Sequence, residues 1–131
     1  MESRFRRDVL DWLAADPALA TAVNTVEEEN PVSVSPPYIG IAASASRDWG
    51  AKDVKGREVR IAVELVDRRS SAQAHQSATI VDAIEARIAA MPPVQEGYRI
   101  VLTRFLRSRA QQRENNLRAV LLEYEFGLLA A

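Results

Sequence analysis

The residues that ordinarily carry catalysis are sparse in this chain, and their spacing is unhelpful. His75 is the only histidine, and there is no cysteine. One imidazole cannot supply a two-histidine metal site, and no Ser/His/Asp set gathers around it. Its place near the start of a helical stretch reads as solvated surface. Glu27, Glu28 and Glu29 offer paired carboxylates. Adjacent positions on an acidic connection, however, do not give the fixed pair with separated pKa values that acid–base chemistry needs. Gly40, Gly50, Gly56, Gly97 and Gly127 are scattered, and none belongs to a Gly-rich turn that would cradle a phosphate. Without cysteine there is also no disulfide framework, thiolate zinc site or cysteine nucleophile. No residue is assigned to catalysis, to a cofactor or to a metal, and an enzyme is the weakest reading.

The chain does carry residues suited to recognition. Residues 47–58, RDWGAKDVKGRE, place Trp49 among both signs of charge: Arg47, Asp48, Lys52, Asp53, Lys55 and Arg57. Trp and Arg are enriched among residues that dominate binding energy at protein interfaces. The same tryptophan can equally fold back onto its own sheet, and the residues leave both open. A second polar stretch carries Arg104, Arg107, Arg109 and Arg113. These suit an acidic partner, or serve only to keep an extended hairpin soluble.

The elements that position these loops follow from periodicity. Phe5, Val9, Trp12 and Leu13 recur at helical spacing and predict an amphipathic first helix with Trp12 in the core, ending near Asp16. Asp16 before Pro17 is a restart signal for a short helical segment to about Val23. Residues 24–36 read as a surface connection, with a brief edge strand at Val32 and Val34. Residues 38–45 are nearly continuously apolar, while Val59, Ile61, Val63 and Leu65 alternate; the two runs should pair antiparallel. Ser70 and Gln73 fit a capping box before a helix whose inner face is Ser77, Ile80, Val81, Ile84 and Ile88, stopping before Pro92. Strands are expected from Tyr98 and over residues 117–129, joined by a hairpin loop at residues 108–115. The fold class is therefore α+β: one domain, a mostly antiparallel β-sheet with two main helices packed on one face.

Composition narrows the partners. At 131 residues, 47% hydrophobic and 27% charged, the chain suits one soluble core and shows no disorder bias. Seventeen basic against eighteen acidic side chains give a net charge of −1, without the basic excess that drives phosphate-backbone binding. All but two of the basic residues, Lys52 and Lys55, are arginines, which favour ordered ion pairs, although a high-GC genome produces the same bias. No run has signal-peptide or membrane-spanning character, so synthesis and retention in the cytoplasm are expected.

Taken in order, the FRRDVLDWLAADPALA helix, the PPYIGIA strand, the SRDWGAKDVKGRE hairpin, the RIAVELVDR strand, the following SSAQAHQSATIVDAIEARI helix and the closing GYRIVLTRFLRSRAQQRENNLRAVLLEYEF hairpin span nearly the whole chain. This arrangement resembles the small tail-completion or tail-terminator proteins of long-tailed phages and of phage-like gene transfer agents. The acidic EEENP connection departs from the Gly- and Pro-containing turn common in that family. The resemblance implies a structural, non-enzymatic role: a ring of this chain, expected to be a hexamer, at the head-proximal end of the virion tail. There it would stop growth of the tail tube and meet a head–tail connector or stopper protein. DNA would pass through the lumen without specific binding. By this reading Arg47, Asp48, Trp49, Lys52, Asp53, Lys55, Arg57, Arg107, Arg109 and Arg113 are interface residues. Two other readings stand beside it: a stopper or adaptor subunit on the connector side, and a small-ligand-binding α+β domain with an apolar pocket.

Overall fold

The computed structural model describes residues 1–28 and 34–131, without the side chains of residues 71–74. Its first helix, α1 (Glu2–Ala14), buries Phe5, Val9, Leu10 and Leu13 at helical spacing. The Asp16 carboxylate then accepts the Leu19 amide and caps α2 (Pro17–Ala22), as the Asp-Pro signal indicates. Strand β1 (Tyr38–Asp48) and β2 (Gly56–Arg68) form the first hairpin. Helix α3 (Ser71–Ala89) follows, with Ser77, Ile80, Ile84 and Ile88 turned inward. A two-residue strand, β3 (Val94–Gln95), leads into the long hairpin of β4 (Tyr98–Arg113) and β5 (Leu117–Ala130).

The strands form one sheet in the order β1-β2-β5-β4-β3, with each pair of neighbours antiparallel. The helices lie on one face of it. Alternate residues Val59, Ile61, Val63 and Leu65 of β2 and Leu122, Tyr124, Phe126 and Leu128 of β5 meet Phe5, Val9, Leu13, Leu19, Ile84 and Ile88 there. Phe5 stands edge-on to Phe126 at 4.7 Å and to Tyr98 at 6.1 Å between ring centroids. Side chains of this size fill the space between layers, leaving the core of the domain packed and not hollow. Burial pushes the Tyr98 hydroxyl up, reinforced by its 2.6 Å hydrogen bond to Asp8.

Several expectations need correction. Trp12 is half-buried and not in the core: its indole donates to the Arg87 carbonyl at 2.6 Å, and the Arg87 guanidinium lies over its ring at 3.3 Å, riveting α1 to the end of α3. The expected loop at residues 108–115 is strand as far as Arg113, because each polar residue there has a ladder partner on β5. The turn is confined to Glu114, Asn115 and Asn116. Both asparagines have φ of 60°, and the Leu117 amide donates to the Glu114 carbonyl, the mirror-image turn that suits hairpin twist. Likewise β1 runs on through Asp48, shortening the first loop to residues 49–55. Glu29 and Val32, part of the acidic tract and of the expected edge strand, lie outside the described residues, as does the Gln73 side chain of the capping box. Val34 carries no strand; instead Val26 bridges Ile39 at the start of β1.

Candidate protein interface

The other face of the same strands has no helix over it. Alternation that sends Val59, Ile61 and Val63 to the core sends Glu58, Arg60, Ala62 and Glu64 to this side. The register sets Glu58 beside Arg47, Arg60 beside Glu125, and Glu125 beside Arg104. Charges of opposite sign thus alternate across four strands. Arg47 donates two hydrogen bonds to Glu58, at 2.9 and 2.8 Å. Arg104 bonds Glu125, and Arg60 lies 3.9 Å from both Glu58 and Glu125. Further along, Arg107 and Arg109 converge on Glu123 at 2.6 and 3.3 Å, and Arg113 reaches Glu64 at 2.8 Å. The carboxylates sit low and the guanidiniums high: the Glu58 side chain is 7% exposed and the Arg47 side chain 71%. Arg47 hydrogen bonds hold the Glu58 carboxyl below its ordinary range, and Arg107 does the same for Glu123.

Trp49 closes one end of this ladder. Its ring lies across Gly127 of β5, where an added Cβ would stand 2.6 Å from the ring atoms Cη2 and Cζ3. The folded-back alternative for Trp49 is therefore the observed one, with 37% of the residue still exposed. Gly50 permits the tight return, since a Cβ there would meet the Val54 carbonyl at 2.4 Å. The Asp48 carboxylate accepts the Gly50 amide, and Lys52, Asp53, Lys55 and Arg57 are exposed around the loop.

The ten residues singled out from sequence do not form one patch. Arg47, Arg107, Arg109 and Arg113 share the helix-free face, whereas Asp48, Lys52, Asp53, Lys55 and Arg57 cluster at the loop end of the sheet. Arg113 sits at the opposite end, roughly 35 Å away by strand rise. Arg104, Arg107, Arg109 and Arg113 are strand residues, not loop residues. Sequence reasoning missed their acceptors Glu58, Glu64, Glu123 and Glu125, although Glu-x-Glu facing Arg-x-Arg at period two carries the signal. It also missed the outer edge of β4, where Val101, Phe105 and Leu106 are exposed. Among the described residues no cluster of His, Cys, Asp or Glu could hold a metal ion, and no helix is long and apolar enough to cross a membrane.

The chain is thus a helix-backed antiparallel sheet with a paired-charge face and partly uncovered edge strands. The sequence profile of the family Tail completion protein gp17 matches residues 7–128, and the chain belongs to that family of structural virion tail proteins. Among solved structures, the chain is similar to a protein in the structure titled "Virion of native gene transfer agent (GTA) particle", with a TM-score of 0.74 and 18% sequence identity over 96% of this chain and 94% of that one. At that identity the likeness concerns the fold. No curated protein matches the chain by sequence.

Proposed function

We propose that this tail protein is a terminator: a non-enzymatic subunit that closes into a ring, of six copies by expectation, on the head-proximal end of the tail tube. The ring stops addition of further tube subunits and presents its far side to the head connector. The observation that carries this reading is the coincidence of tail-completion family membership with uncovered stretches on two different strand edges of one subunit. A closed ring repeats one heterologous contact and so needs two unlike patches per copy. The loop bearing Trp49, with Lys52, Asp53 and Lys55 at its end, is the surface that touches the last tube ring.

DNA passes through the lumen without specific binding. In support, Arg47, Arg60, Arg104, Arg107, Arg109 and Arg113 all lie within 4 Å of a glutamate, so the arginine-rich face is not a bare cationic surface. The filled space between helices and sheet counts against the ligand-binding alternative. The deciding experiment is electron microscopy of particles made without the protein and after complementation. Overlong, headless tails restored to uniform length establish termination. Normal-length tails lacking only heads assign it to the stopper or adaptor role instead.

A further inference from the structure

Both outer strands of the sheet have uncovered stretches. On β1 the Val26 bridge covers Ile39, and a register shift falls between Ile41 and Ala43; residues 43–48 then run without irregularity. On β4 the short β3 covers Tyr98 and Arg99, and register shifts fall after Ile100 and after Phe105; residues 107–113 then run without irregularity. Bulges, covering segments and prolines are the ordinary means of blocking a strand edge. Among the described residues no bulge, covering segment or proline protects these two stretches, which are of similar length; the charges they carry include Arg47, Arg107, Arg109 and Arg113, each already paired with a glutamate.

We propose that residues 107–113 of β4 pair, antiparallel, with residues 43–48 of β1 in a second copy of this chain, so that the ring is a continuous sheet. This rests on the ring reading given above and names its contact. Strand direction requires the antiparallel sense. Each neighbour in β1-β2-β5-β4 is antiparallel, so β4 runs opposite to β1. Rotation about an axis parallel to the strands keeps those directions and brings β4 of one copy beside β1 of the next as an antiparallel pair. Pairing β4 with itself would stop at a dimer, which cannot continue into a ring. Side-chain size fits the unlike pair. With helices kept on one side and Ala43 set opposite Gln111, Ala45 of β1 faces the long Arg109 and Arg47 faces Arg107, each of these arginines already held by a glutamate of its own sheet, while Ser44 and Ser46 face Ala110 and Ser108. The stretches are also offset: Ala43 relays through Ala62 and Glu123 to Arg107, so residues 43–48 lie level with the blocked half of β4. Joining them shears successive copies along the strands, which is what lets strands tilt and a sheet close.

The natural absence of cysteine makes the test direct. Particles are assembled with the double variants Ala43→Cys/Gln111→Cys and Ala45→Cys/Gln111→Cys, which bracket the register. They are then oxidised, and the chain is resolved by denaturing electrophoresis. The expected result is a ladder of linked copies from one of the two, with Gln111→Cys alone unlinked. Dimers from Gln111→Cys alone mean β4 meets β4 and overturn the proposal. Normal-length tails that contain either double variant but yield no ladder also overturn it, while leaving the terminator reading intact. A ladder in particles whose tail length is indifferent to deletion of the protein supports the edge contact and removes the terminator reading. If a double variant does not enter particles, the same pairs made as single variants and mixed before assembly must give a cross-linked dimer; failure there overturns the contact.

Discussion

The two faces of one sheet are built from alternate residues of the same strands, yet they obey different physics. On the helix-covered face Phe126 is 1% exposed and lies between Phe5 and Tyr124, so its contribution is dispersion and removal from water. On the helix-free face the neighbouring Glu125 is buried only because Arg104 and Arg60 cover it. The first arrangement requires nothing beyond this chain. The second is satisfied but open, a surface that water or another protein can finish. Apart from the small buried cluster of Ala62, Val66, Ala119 and Leu121 on the open side, stability should therefore respond to the covered face, and assembly to the charged part of the open face and its edges.

The largest effect expected is loss of the Phe126 ring. Phe126→Ala leaves a cavity beside Phe5 and should destabilise the domain by about 3–5 kcal/mol in chemical denaturation. Phe105 offers the matched control, since it also packs edge-on against Tyr124, at 5.4 Å, but is 46% exposed. Phe105→Ala should cost about 1 kcal/mol or less, because little area returns to water and an exposed site leaves no closed void. Equal losses at the two sites would break the contrast between the buried centre of the covered face and its exposed margin, where Phe105 lies beside Tyr124.

Next comes the loop end. Replacing Arg47 and Trp49 together with Ala should weaken tail capping by about tenfold, the order seen when an interface aromatic and arginine are truncated. Tail-length distributions read by electron microscopy check this. Unchanged capping by a normally folded double variant removes the loop from the tube contact.

A smaller effect separates the Trp49 packing from its surroundings. Gly127→Ala places a methyl where the Trp49 ring now lies, and because the ring tip can swing outward the cost should stay near about 1 kcal/mol. Tryptophan emission should shift to the red as the ring enters water. Combining Gly127→Ala with Trp49→Ala should cost less than the sum of the two alone; strict additivity would mean the ring does not rest on Gly127.

Much of the covered face was legible in the sequence because burial writes a period. Val59, Ile61, Val63 and Leu65 alternate, Ile80, Ile84 and Ile88 recur at helical spacing, and Asp16-Pro17 marks a restart; each element stands where its pattern put it. The open face was harder to read. Residues 108–113 look like loop by polarity alone, but an exposed strand needs no apolar period when the ladder to β5 supplies its hydrogen bonds. The arginines stand out in the sequence and their glutamates do not, since a pair such as Arg104 and Glu125 exists only once the register is known. The place of Trp49 is hidden for the same reason: the glycine that receives its ring lies 78 positions along the chain.

The smallest expected effect concerns the ion pairs themselves, and its sign follows from the carboxylates. Arg47 holds the folded-state pKa of Glu58 below the ordinary 4.5, and Arg107 holds that of Glu123 below it as well. A depressed pKa means the folded protein binds fewer protons than the unfolded chain between the two values, so stability rises with pH across that window. The contribution is fully present above about pH 4.5 and is lost as pH falls through the folded-state values. Melting temperature followed downward from pH 6 should therefore fall less steeply in Glu58→Gln than in the wild type, with a similar flattening in Glu123→Gln. Because the guanidiniums are exposed to water the change should be modest and should shrink at high salt. The core supplies the control: Phe126→Ala should lower the whole curve without changing its acid slope. If Glu58→Gln kept the wild-type slope, the Arg47 pair would not be held in solution, and the open face would be a solvated surface instead of an ordered one.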